Sequence, residues 1–462
     1  MWFMEEDGNN KIYKSLISSA GLLFGLFFCH FIEISVAGYQ LKKIDIISDI
    51  KADTIKFISK NPVVKKQFID SCKNGLICFE DYSDDTTALN KIFNAFINVK
   101  QNKGKVRIGF FGDSFIEGDI LCADVRDTLQ ALFGGTGVGY VPITSEVAQF
   151  RTTIFHSYNG FLSYSMVNCQ SLNTPLGGCG YLFKAKENNF VKYSANTQLR
   201  HLNKFKNIKL FYTAKENTEI KYTLNNLYNS KNLLVASNKM QQLLINNANA
   251  TSVKFQFPAS DKLNLYGISI EDSIGVCVDN FGLRGNSGLG LLKINDNMHR
   301  QFDSLQNYNL IILQYGLNVI SPTTKDVSWY SDAMVKVING MKKNYPNASF
   351  LLISISDRST KINGQYQTMQ TIPMMVEAQR EIAKRSKIAF WDLYSAMGGE
   401  NSMITLVDNT PPLANKDYTH LNSIGGKKIA NIFVETLLYD LGKYNEKKNY
   451  TAINDSNLLI RK

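Results

Sequence analysis

Metal-ligand patterns are missing from this chain. The five histidines stand at no metal-ligand spacing, and the seven cysteines (29, 72, 78, 122, 169, 179 and 277) form no CxxC pair, which excludes zinc-site and thioredoxin-like readings. Missing too is a dense Lys/Arg run interleaved with aromatics. The formal net charge of +11 and pI near 9.0 come from scattered lysines, so nucleic acid is not an expected partner, and an anionic cell envelope is the plainer setting for such charge. Between Ser15 and Ile32 no side chain is charged at neutral pH, and Lys11 and Lys14 precede that run, as in a signal peptide or signal anchor. Ser35, Val36 and Ala37 then offer small residues for cleavage. The expectation is export to the periplasm, with residues 1–38 either removed or kept as a membrane anchor. The cysteine spacing allows Cys72/Cys78 and Cys169/Cys179 to pair after export, the odd total leaves at least one thiol free, and buried apolar thiols are the expected fate of most of the seven.

What is present is enough for a large folded enzyme. Apolar residues make up 44% of the chain and charged residues 20%, a balance that supports a core and excludes a disordered chain. At 462 residues the chain is longer than a single core of ~250–300 residues. Residues 39–104 read as a helical lead-in, with Ile46, Ile47, Ile50, Ile55, Phe57 and Ile58 at helix-like intervals. Val106–Phe111 is a strand, followed by a tight turn and a helix-period stretch from Asp119 to Phe133. The alternation resumes with strands at Leu310–Gln314, Ser349–Ile355 and Ile388–Leu393. Helices near Tyr330–Lys343, Pro373–Arg385 and Ser423–Leu441 stand between and after them. Strands separated by helices predict an α/β, flavodoxin-like parallel sheet with helices on both faces, built from 105–150 and 273–442. Between these halves, 151–272 changes to short alternating runs such as Lys209–Thr213, Glu219–Leu224 and Ser252–Phe257, which predict an inserted β-sandwich. Residues 443–462 read as a polar tail, with Gly442 as the helix stop.

Four blocks carry chemistry. Gly112-Asp113-Ser114 follows a strand and opens a helix, a position that exposes a side chain at the carboxyl edge of a parallel sheet. A serine attacks an ester only when a base takes its proton, a third group orients that base, and donors await the oxyanion. Asp417 precedes His420 by three residues, close enough for one turn of chain to bring the carboxylate to a ring nitrogen, although an isolated DxxH is also met as a loop capping the next helix. Asn318, in Tyr315-Gly316-Leu317-Asn318, lies just past a strand end, where its amide is able to donate to an oxyanion. In Asp279-Asn280-Phe281-Gly282-Leu283-Arg284-Gly285-Asn286 the glycines let backbone N–H groups approach a substrate. The run Gly134-Gly135-Thr136-Gly137-Val138-Gly139 follows a helix instead of a strand and lacks the Lys-Ser/Thr ending, so it reads as a flexible loop and not as a phosphate cradle.

In this order the blocks resemble the SGNH (GDSL-type) hydrolase superfamily, and with the β-rich insert before the Gly block they look most like peptidoglycan O-acetylesterase-like envelope proteins of Bacteroidetes type. The resemblance covers about residues 105–150 and 274–440. It implies Ser114, Asp417 and His420 as the catalytic set, an oxyanion hole of Ser114 N–H, Gly285 (or Gly282) N–H and the Asn318 amide, and no metal or organic cofactor. The implied activity is removal of O-acetyl groups from a cell-envelope or dietary glycan through an acetyl-serine, with 151–272 similar to a carbohydrate-binding module. Two other functions suit the same residues: an O-acetyltransferase passing the acyl group to a sugar hydroxyl, and a non-catalytic glycan-binding protein.

Overall fold

The computed structural model describes residues 73–459, apart from 74, 102, 103, 170, 172 and 247, and before them only Ile17, Ser35–Val36 and Tyr39–Gln40. The expected signal segment, most of the lead-in, and Cys29 and Cys72 therefore lie outside the described residues. Among the described residues no helix is long and apolar enough to cross a membrane. The chain divides into two units, Met1–Lys66 and Gln67–Lys462. In the first, Ser35–Val36 pairs antiparallel with Tyr39–Gln40.

The second unit is organised on a six-stranded sheet. Its strands are β1 (Glu80–Asp81), β2 (Lys105–Gly112), β3 (Gly275–Gly282), β4 (Leu310–Gln314), β5 (Ser349–Ile353) and β6 (Ala389–Trp391), in the spatial order β3-β2-β4-β5-β6-β1. All neighbours are parallel except β1, which pairs antiparallel with β6 at the edge. The sequence of these strands explains their place. Both faces of a parallel sheet are covered, so its strands are continuously apolar, as in LIILQ and SFLLI, where every residue is buried.

Alternation then divides the side chains between two cores. Phe111, Ile311, Leu313, Phe350 and Leu352 face one core, closed by helices α4 (Asp296–Gln306), α5 (Ser328–Asn344) and α6 (Ile372–Ser386). Ile108, Phe110, Leu310, Ile312, Leu351 and Ile353 face the other, closed by α1 (Asn90–Lys100), α3 (Cys122–Phe133) and α7 (Ser423–Leu459). Each such side chain contributes about 1.5–3 kcal/mol of burial. The short helix α2 (Ser114–Glu117) follows β2 directly. Counted from β2, the strand order is that of a flavodoxin-like doubly wound sheet, whose ligands bind beyond the carboxyl ends of the strands where the order reverses, here beside β2.

The β-rich insert is one hydrogen-bonded, nine-stranded antiparallel sheet. It begins with Gly139–Val141, ahead of the expected boundary at 151, because this segment pairs with Leu263–Glu271. Its two groups of strands meet at the single pair Leu265 and Phe183, and both line one core that includes Val191, Phe255, Leu210 and Ile268.

Several expectations are corrected. The last helix does not stop at Gly442 but continues to Leu459, which replaces the polar tail over most of 443–462. One interior glycine costs only about 1 kcal/mol, and Tyr444 packs its ring 5.4 Å from that of Phe93 while Lys448 Nζ donates to Asn94 at 2.8 Å. Of the two fates open to Cys169 and Cys179, the structure shows the buried thiol and not the disulfide, with the two thiols directed to the carbonyls of Ser171 and Tyr266. Cys78 is disulfide-bonded. The helix expected from Asp119 begins at Cys122, because Asp119 adopts a left-handed φ of 63° with its carboxylate buried on two arginines. The glycine run is a packed loop: a Cβ at Gly137 would lie 2.3 Å from the Ile270 carbonyl oxygen.

Buried charge fastens the insert to the sheet. Arg107 of β2 donates to Asp279 of β3 at 2.8 Å and also to Glu271, the last residue of the insert's final strand, with all three side chains almost fully buried. Burial opposes the ionisation of Glu271, but Arg107, Lys105 and Lys209 together hold its carboxyl well below the usual range. Removing one member of such a group leaves an unpaired buried charge. Arg107→Leu is therefore expected to lower unfolding free energy by about 3–5 kcal/mol in urea titrations; a loss below about 1 kcal/mol would show that the two lysines carry Glu271 without it.

Candidate active site

Ser114 reaches its position through the end of β2. Gly112 closes the strand, Asp113 caps α2 by accepting from the Phe115 N–H at 2.9 Å, and Ser114 is the first helical residue, half-buried. The α2 turn is pressed against β3, since a Cβ on Gly282 would lie 2.4 Å from the Glu117 nitrogen.

His420 is delivered by the opposite end of the chain. The N-terminus of α7 sits on the Ile120 carbonyl, where a Cβ on Gly426 would come within 2.5 Å of the oxygen. Asn422 caps that helix by accepting from the N–H groups of Ile424 and Gly425, so the capping role expected of an isolated DxxH loop is present as well, on the residue two positions after His420. Asn415 N–H closes the loop on the His420 carbonyl at 2.8 Å. Tyr418 has a left-handed φ of 54°, which turns the Asp417 side chain back over its own loop. There Asp417 accepts from the Thr419 and His420 N–H groups, both at 3.0 Å, and from His420 Nδ1 at 2.7 Å. The other ring nitrogen, Nε2, lies 2.9 Å from Ser114 Oγ. With Nδ1–H donating to Asp417, Nε2 is the lone-pair nitrogen and Ser114 donates to it.

The oxyanion candidates differ in readiness. Among the described residues the N–H groups of Ser114 and Gly285 have no acceptor, and Gly285 is exposed with a φ of +72°. The Gly282 N–H already donates to Asn280 Oδ1 at 2.8 Å, which favours Gly285 of the two. The Asn318 amide donates to Asp113 Oδ2 at 3.0 Å and to the Asn286 carbonyl at 3.2 Å. It thereby ties the residue before Ser114 to the residue after Gly285. All four sequence blocks thus converge beyond the carboxyl ends of β2, β3 and β4.

Burial pushes the Asp113 carboxyl up to about 6, against the Phe115 N–H and the nearby His420 and Arg358. Asp417 moves the other way: burial raises it, but the bonds from His420 and Thr419 outweigh this and lower it. Two features escaped sequence reasoning. Arg358 donates to the Leu317 carbonyl at 3.2 Å and is electrostatically coupled to Asp113 and Asp417. The hairpin Ser359–Ile362/Gln365–Thr368 packs beside the histidine loop. Its signal was available, for Asn363-Gly364 between β-formers is a strong two-residue hairpin pattern. Among the described residues no group of three or more His, Cys, Asp or Glu is arranged to hold a metal ion.

Fold and constellation together place a serine, a histidine and an aspartate in one hydrogen-bonded series beyond the carboxyl edge of a doubly wound α/β sheet. No family model and no curated protein matches the chain. Among solved structures, a peptidoglycan O-acetylesterase matches with a TM-score of 0.65 at 20% identity, over 79% of this chain and 99% of its own. This chain has the fold of that esterase. An acetyl xylan esterase (20% identity, 35% of this chain and 80% of its own, TM-score 0.27) and a family two carbohydrate esterase from Cellvibrio japonicus (10%, 62% and 99%, TM-score 0.26) also match, at scores too low to bear on the architecture.

The Asp113 shift has a thermodynamic consequence. With 3.8 in the unfolded chain and about 6 in the folded one, the native state holds a proton that the unfolded state has released. The stability from this carboxyl is present below about pH 4 and declines by about 3 kcal/mol as pH rises through 6. Urea unfolding at pH 4 and pH 7 should show that decline in the wild type and a flatter profile in Asp113→Asn; identical profiles would remove the assignment.

Proposed function

We propose that the chain is a serine esterase that removes O-acetyl groups from a glycan. The observation that carries this reading is the continuous chain Ser114 Oγ, His420 Nε2, His420 Nδ1, Asp417 Oδ2, with contacts of 2.9 and 2.7 Å. His420 takes the Ser114 proton as the hydroxyl attacks the ester carbonyl, while Asp417 holds the imidazole tautomer. The oxyanion is received by the N–H groups of Ser114 and Gly285 and by the Asn318 amide. The alcohol leaves with the proton from His420, and water deprotonated by the same ring hydrolyses the acetyl-serine. The likeness of the whole α/β frame to a structure described as a peptidoglycan O-acetylesterase supports an acetylated glycan as substrate. The two strand groups of the insert, which share one core, fit a folded-over sandwich that we read as a glycan-binding module. The uncharged run from Ser15 to Ile32 supports an exported, envelope-facing protein.

Acetate release from O-acetylated peptidoglycan and acetylated xylan tests the reading. Ser114→Ala and His420→Ala should abolish nearly all turnover, and Asn318→Ala should cost on the order of 10²–10³ in kcat. Activity should persist in EDTA. Full turnover by Ser114→Ala would defeat the proposal, whereas labelling of Ser114 by a fluorophosphonate without acetate release from any glycan would favour the transferase.

A further inference from the structure

Beside the candidate triad stands an element that the chemistry above does not use. The two-stranded hairpin Ser359–Ile362/Gln365–Thr368 emerges just after β5 and turns at Asn363-Gly364, both with positive φ. Its root and its second strand make three contacts with the catalytic blocks. The Ser359 N–H donates to the Tyr418 carbonyl at 3.0 Å. The Tyr366 ring lies on the Tyr418 ring with centroids 3.7 Å apart and planes 14° from parallel. Arg358, immediately before the hairpin, donates to the carbonyl of Leu317, the neighbour of Asn318.

These contacts fall where the histidine loop is least able to hold itself. Tyr418 lies between Asp417 and His420, and its left-handed backbone is a conformation that an L-residue with a large side chain keeps only when its surroundings impose it. Release of Tyr418 to an ordinary φ would swing the Asp417 carboxylate away from His420 Nδ1, because the bonds to the Thr419 and His420 N–H groups depend on that turn. His420 and Asp417 are themselves 35% and 48% exposed, so little packing restrains them from the solvent side. The hairpin supplies that restraint from outside the loop, through one backbone hydrogen bond and one stacked aromatic face.

We infer that the hairpin braces the triad, with Tyr366 as a positioning residue that holds the Asp417–His420 loop in its reactive geometry through the ring of Tyr418. The inference rests on the esterase reading for its kinetic arm only. Tyr366 touches no reacting atom, so its effect must run through the loop.

The test uses the wild-type protein, Tyr366→Ala, Tyr366→Phe and Ser359→Pro, the last removing the N–H that reaches Tyr418 at the first residue of a strand, where proline is tolerated. Two substrates are compared: p-nitrophenyl acetate, which has no sugar to stack on a tyrosine, and an O-acetylated glycan. Tyr366→Ala should lose on the order of 10² in kcat on both substrates with KM unchanged, as expected for a displacement of catalytic groups by about an ångström. Tyr366→Phe keeps the stacked face and should restore the rate, and Ser359→Pro should fall between them. The second readout needs no turnover: the downfield proton resonance of His420 Nδ1–H bonded to Asp417 should be sharp in wild type and Tyr366→Phe, and broadened or lost in Tyr366→Ala. A loss confined to the glycan and expressed in KM would overturn the brace and make Tyr366 a sugar contact. An unchanged resonance in Tyr366→Ala would overturn it as well. If no variant, wild type included, turns over either ester, the esterase reading fails while the resonance still decides the brace.

Discussion

Ser114 Oγ and His420 Nε2 stand 306 positions apart in the chain and meet at 2.9 Å. A hydrogen bond of that length between such distant residues survives only when both ends are held by rigid backbone, and the rest of the molecule supplies that rigidity. One end is fixed by β2, buried along nearly its whole length and bonded on both sides. The other is fixed by α7, whose N-terminus is pressed onto Ile120 and whose apolar face, with Ile429, Ala430 and Phe433, belongs to the same core as Ile108 and Phe110 of β2. The elements that carry Ser114 and His420 therefore share one hydrophobic core, and the packing that stabilises the fold also sets the distance between the two side chains.

Charge performs a different task. The sheet carries Arg107 within a strand that is otherwise apolar or glycine in its buried length, and its partners Asp279 and Glu271 belong to β3 and to the insert. A second buried group, Asp119 with Arg126 and Arg151, joins the segment between α2 and α3 to α3 itself and to the loop between the insert's first two strands, and Asn280 adds a bond from β3 to the same carboxylate at 3.1 Å. Such groups add little net stability compared with apolar packing, but each permits a single arrangement of its partners. They specify how the insert meets the sheet next to the serine, where apolar surfaces alone would allow sliding.

Legibility in the sequence followed the length scale of each interaction. The apolar strands, the GDS turn and the DxxH spacing were readable because burial on both faces, a strand-to-helix turn and a one-turn loop leave marks within a few residues. The choice between Gly282 and Gly285 was not readable, since the Asn280 amide that captures the Gly282 N–H is turned that way by its bonds to the distant Ile116 carbonyl and Asp119 carboxylate. The extension of α7 past Gly442 was misread because its support comes from Phe93 and Asn94 of α1, which pack beside it but lie far away in the chain. Cys169 and Cys179 have a spacing that suits a disulfide, yet the fold directs each thiol to a different carbonyl. The hairpin at 359–368 carried a local signal, but its meeting with Tyr418 did not.

By itself the sequence determined the residue types of the site, their order, and the α/β frame that carries them, because these follow from local periodicity and from the chemistry of neighbouring side chains. The tertiary structure alone decided which glycine N–H is left without an acceptor, how the nine strands of the insert join into one sheet, and what steadies the histidine loop. Those outcomes depend on contacts between residues tens to hundreds of positions apart, whose geometry arises only when two cores close on the same sheet.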